Sequence, residues 1–250
     1  QYGAQFDAGD HSPELVYKYI KALNEAEKSS GKVANLYFKE NPKPNGEWDY
    51  KIIYEATQTL DSKAFELYEK NQKNIAKYYS ADQIKAKNES LINNSIKRAI
   101  EFQSNDIANQ VKAFASKNLN QNAAQYYEQL VNFKMADSRR EVANINVAAI
   151  KLAELTNKEN KHDLNEIIYI LKAKYATEKV TVPAVIALYE KQSEIADNPK
   201  DRMNYALYLF NCGEKAKAIK EAEKAKSRAF ELNQDLSEFE TVIQYIKSKS

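Results

Sequence analysis

Glycine is nearly missing from this sequence. It supplies 5 of 250 residues, proline another 5, and no glycine falls between Gly46 and Gly213. Sheet proteins turn tightly and often, and their turns lean on glycine. The shortage therefore argues against a sheet fold and for helices joined by Asn, Asp, Ser and Lys turns. Cysteine occurs once, at Cys212, which excludes an internal disulfide and any paired-cysteine redox motif. Histidine occurs twice, at His11 and His162. The two are far apart and neither sits in a metal-ligand spacing, so no metal is expected. Both read as solvated residues ahead of a helix start. No apolar run approaches the ~20 residues of a membrane-crossing helix. Phosphate loops, dinucleotide-binding glycine motifs and nucleophile elbows are also missing, so no cofactor is expected.

Charge of one sign is missing too. Charged residues make up 29% of the chain, yet the formal net charge is only +2. The densest basic run, Lys215, Lys217, Lys220, Lys224, Lys226 and Arg228, is interrupted by Glu214, Glu221 and Glu223. At helical spacing this is a lattice of opposite charges on a solvated face. No nucleic-acid partner is expected from it, nor from Arg139-Arg140.

What the chain does have is helical periodicity. Ser12-Pro13-Glu14 reads as a helix start, with Pro13 in the first turn. Ser80-Ala81-Asp82-Gln83 fits a reciprocal capping box, and Ser138-Arg139-Arg140-Glu141 has the same form. Asp163 and Asn198 mark two further starts. The spacing of apolar residues predicts roughly twelve or thirteen helices and no strand. Residues 1–10 read as a short lead-in. One helix carries Phe65, Tyr68, Ile75, Tyr78 and Tyr79, and from Asn120 the helix pairs shorten. The last helix, over 236–247, caps the array, and a polar tail follows to Ser250.

Residues 199–230, PKDRMNYALYLFNCGEKAKAIKEAEKAKSRAF, form two helices around a turn at Gly213. Ala206 on the first, and Ala218, Ala222 and Ala225 on the second, are small where two helix axes must come close. This stretch resembles a tetratricopeptide repeat, a helix–turn–helix unit of ~34 residues. Arg202 and Leu209 depart from that pattern. The resemblance implies an all-α chain of stacked antiparallel hairpins in a right-handed superhelix. It would be a single helical-repeat domain over 1–250, with an N-terminal half over 1–118 and a repeat-like half over 120–250.

A second resemblance rests on SPELVYKYIKAL, the lone Trp48 at a helix start, and LDSKAFELYEKNQKNIAKYYS, within 12–100. It is similar to the helical region that follows thioredoxin-like domains in exported proteins of Bacteroidetes-type bacteria. The chain starts at Gln1, and the expectation is a processed or excised piece of an exported protein, periplasmic or in the cell envelope.

Two functional readings follow. The first is a non-enzymatic domain that binds a protein or peptide partner. The second is an accessory helical domain of a redox protein whose catalytic module lies outside this chain. An enzyme would have to assemble its groups from distant positions. The candidate partner-binding residues come from the 17 tyrosines, namely the adjacent pairs Tyr78-Tyr79 and Tyr126-Tyr127. Neighbouring helical positions cannot face the same way. One tyrosine of each pair can go inward and the other can sit at a groove or surface. Boundary packing in a core poor in leucine would use the same residues.

Overall fold

The computed structural model describes residues 1–158 and 160–249. Among the described residues there are fourteen α-helices and no strand. They fall into two compact units, Gln1–Leu119 and Asn120–Ser250.

The first unit holds α1 (Tyr2–Asp7), α2 (Pro13–Glu25), α3 (Gly31–Glu40), α4 (Glu47–Ala56), α5 (Lys63–Ile75), α6 (Ala81–Glu101) and α7 (Asn105–Asn118). The expected lead-in is thus a helix in its own right. α1 buries Phe6, which joins Val16, Ile20, Ala34, Tyr37, Ile52 and Ala64 in one core built from α1 to α5. His11 is not merely solvated: its ring lies 4.5 Å from Phe6, and its Nδ1 is 2.9 Å from Glu40 Oε2 at the end of α3. The loop after α4 is held onto α6. The Leu60 N–H donates to Ser95 Oγ at 2.8 Å, and Arg98 donates to Asp61 at 2.8 Å. The capping box at α6 is complete. Gln83 N–H donates to Ser80 Oγ at 3.2 Å, and Ser80 N–H donates back to Gln83 Oε1 at 2.8 Å. Ser80 is extended, as that cap requires, and α5 stops before it, at Ile75. Tyr78 and Tyr79 therefore lie in the connecting turn and not on the helix.

The second unit holds α8 (Gln121–Arg139), α9 (Val142–Leu155), α10 (His162–Lys174), a 3₁₀ turn (Lys179–Thr181), α11 (Val182–Ile195), α12 (Pro199–Asn211), α13 (Lys215–Glu231) and α14 (Ser237–Ser248). These helices are no shorter than those of the first unit. Ser138 starts nothing: α8 runs through it, and its hydroxyl donates to the Met135 carbonyl at 2.7 Å. The chain reverses at Arg140 instead, in the left-handed region at φ 57°. α9 is covered by α8, α11 and the 3₁₀ turn, while Val147 remains 53% exposed.

α12 and α13 form the expected hairpin. Gly213 sits in the left-handed region at φ +84°, which closes the turn without a Cβ clash. Ala206, Ala218, Ala222, Ala225 and Ala229 are all fully buried, so the helices meet through methyl groups. Arg202 faces two carboxylates, Asp197 and Glu221, each at 2.8 Å. Cys212 is exposed at the turn and not packed in it. α14 lays Phe239, Ile243 and Ile246 against α13 and α12. The expected tail is helical through Ser248; Ser250 lies outside the described residues.

Candidate functional site

The four singled-out tyrosines do different things. Tyr78 is 38% exposed and lies alongside Tyr50, with ring centroids 6.2 Å apart. Tyr79 turns inward and stacks flat on Tyr54 at 3.7 Å. Burial raises its hydroxyl pKa. Tyr126 is only 2% exposed and donates its hydroxyl to Asp163 at the start of α10. That removes Tyr126 from the candidate surface anchors. Tyr127 is half-buried and meets Tyr126 edge-on at 5.7 Å. Each pair stays within its own unit.

Four further inward tyrosines share a pattern with Tyr126 that Tyr79, whose buried hydroxyl has no hydrogen-bond partner among the described residues, does not follow. Tyr37 donates to Asp49, Tyr68 to Asn88, Tyr175 to Asp137 and Tyr205 to Glu190, each on another helix of the same unit. A tyrosine fills core volume with its ring and satisfies its hydroxyl on a neighbouring polar side chain. Burial comes first among the causes that raise these hydroxyls, and it pushes Tyr68 and Tyr175 up to about 12. Tyr37, Tyr68, Tyr126, Tyr175 and Tyr205 thus latch neighbouring elements together.

No group of three His, Cys, Asp or Glu side chains able to hold a metal occurs among the described residues. His162 is 76% exposed and lies 3.1 Å from Asp163. The basic face of α13 is matched by carboxylates, with Lys217 on Glu214, Lys224 on Glu221, Lys226 on Glu240 and Arg228 on Glu231. No helix of the described residues is long and apolar enough to cross a membrane.

One groove has a different character. It lies between α10, α11 and α12, has a volume of about 350 Å³, and is entirely within the second unit. α10 contributes Asn165, Tyr169 and Lys172, spaced to fall on one helical face; α11 contributes Tyr189 and Gln192; α12 contributes Asp201 and Asn204. Tyr169 stands 71% exposed at its edge. Gln192 is 6% exposed and donates its Nε2 to Asn165 Oδ1, while its Oε1 is buried with no hydrogen-bond donor. Lys172 donates to the Tyr189 hydroxyl at 3.0 Å. Asp201 is half-buried, and burial raises its carboxyl above the ordinary value. Behind the groove, Tyr189 stacks on Tyr205 at 5.3 Å.

Periodicity does not mark these residues. Asn165, Gln192 and Asn204 look like ordinary polar positions beside apolar stripes, and only the packing of three helices brings them together. Comparison with known protein families, with curated proteins and with solved structures returns no match.

Proposed function

We propose that this chain is a non-enzymatic helical-repeat module of an exported, envelope-located protein, and that it binds an extended peptide segment of a partner. The observation that carries this reading is the groove between α10, α11 and α12. Three carboxamides, Asn165, Gln192 and Asn204, converge there beside an exposed aromatic ring. Carboxamides both donate and accept, so they match the alternating N–H and C=O groups of a peptide main chain. Tyr169 offers a large apolar face beside a polar tip, the type of side chain that anchors interfaces. The groove is open to solvent along its length, which suits a strand of chain better than an enclosed small substrate.

The stacked-hairpin, tetratricopeptide-type arrangement belongs to this proposal. So does Tyr127, as a secondary contact point for a partner larger than the groove, while Tyr78 is a separate candidate contact on the first unit.

The test is selection of a random peptide library on the immobilised chain, followed by measurement of the best binders against Tyr169→Ala and Asn204→Ala. Each change is expected to weaken binding by ~1–3 kcal/mol and to leave the thermal unfolding midpoint in place. Peptides that bind equally well to both variants would move the site elsewhere. Turnover of any substrate by the purified chain would overturn the non-enzymatic reading.

A further inference from the structure

We propose that the groove between α10, α11 and α12 is a seat for a basic side chain, the ammonium of a lysine or the guanidinium of an arginine, with its N–H groups directed to Asp201 and to Gln192 Oε1. This rests on the peptide-binding reading above and goes on to name the side chain the groove selects.

Two acceptors on the residues that line the groove have no donor of their own among the described residues. Gln192 Oε1 is buried and receives no hydrogen bond. A buried carbonyl in that state carries a standing cost, which a ligand N–H removes. Asp201 makes no ion pair, and its carboxylate accepts no hydrogen bond, among the described residues. Its place in the first turn of α12 brings it near the positive end of the helix. That favours a carboxylate but leaves its oxygens without a donor. Burial raises its carboxyl, as expected for a charge short of a partner.

The chain's own cations do not serve these acceptors. Lys172, the one cation lining the groove among the described residues, gives its ammonium to the Tyr189 hydroxyl and lies 5.6 Å over that ring. An anionic ligand would meet Asp201 and the Gln192 carbonyl. A bare metal ion would find a single carboxylate, and no metal-holding group of side chains exists among the described residues. A basic side chain satisfies both acceptors. It can also run its methylene stem along Tyr169, whose face attracts a cation.

The experiment titrates the full chain with four probes: the Nα-acetyl amides of arginine, lysine, norleucine and glutamate. Side-chain amide resonances of Asn165, Gln192 and Asn204 are followed by NMR. The arginine and lysine probes are expected to move the Gln192 signals and to bind about tenfold more tightly than norleucine, the value of one charge-assisted hydrogen bond. Asp201→Asn, nearly the same shape, is expected to remove that tenfold preference. Should Asp201→Asn fail to fold, the four-probe comparison on the unaltered chain decides the matter alone. Equal binding of norleucine, preference for glutamate, or absence of binding by both basic probes at millimolar concentration each overturns the inference. Library peptides that occupy the groove but favour acidic or neutral side chains would overturn it while leaving the peptide-binding reading in place.

Discussion

Tyrosine hydroxyls carry much of the specificity at the residue scale. Tyr126 is buried and donates to Asp163, itself only 19% exposed. Tyr126→Phe keeps the ring and removes the donor, so it should cost ~1–3 kcal/mol in urea unfolding. Tyr78→Phe, on an exposed ring, should stay within ~0.5 kcal/mol. The same burial sets an alkaline limit. Tyr68 and Tyr175 are raised from an ordinary 10.0 to about 12. The folded state therefore favours the neutral phenol. This contribution is complete below pH 10.0 and is lost as pH rises towards about 12. Tyrosinate absorbance and helical circular dichroism should then change together. Ionisation of all 17 tyrosines near pH 10.0 with the helices intact would show that these hydroxyls are not held as described.

At the scale of elements, the α12–α13 hairpin makes two sharp statements. A Cβ at Gly213 would touch nothing within 4 Å, so Gly213→Ala should cost only the left-handed backbone term, ~1–2 kcal/mol. Ala222 is fully buried at the helix contact, and Ala222→Leu should overpack it by ~1–3 kcal/mol, read as a lower urea midpoint. Both positions were legible in the sequence because spacing and residue size alone determine them. So was the box at Ser80, which is purely local. The same motif at Ser138 misleads because Leu130, Val131, Phe133 and Met135 continue an apolar face up to it, and α8 simply carries on. Its true stop is Arg140, a non-glycine at positive φ that no composition rule flags. α5 fails in the opposite sense. Tyr78 and Tyr79 fall three and four residues after Ile75 and so extend the helical pattern. The real decision lies with the Ser80 cap and the stacking of Tyr79 on Tyr54. The groove was illegible for a third reason: its carboxamides lie on three helices, and adjacency between helices is not a local property.

For the whole molecule, the division after Leu119 has practical content. The groove is complete within 120–250, so that fragment should fold alone and bind the same peptides as the full chain. An unfolded fragment by circular dichroism would show that the second unit depends on the first. The first unit also holds the chain's single tryptophan, Trp48, 5.4 Å from the Tyr17 ring with the Lys51 ammonium 4.7 Å above it. Indole emission is thus a private signal of residues 1–119. A denaturation curve followed by that fluorescence reports the first unit directly, and the groove-bearing unit only through coupling between the two. A peptide that stabilises the groove should shift the helical signal; an emission curve that stays where it was then marks the two units as unfolding independently, and one that moves with it marks them as coupled.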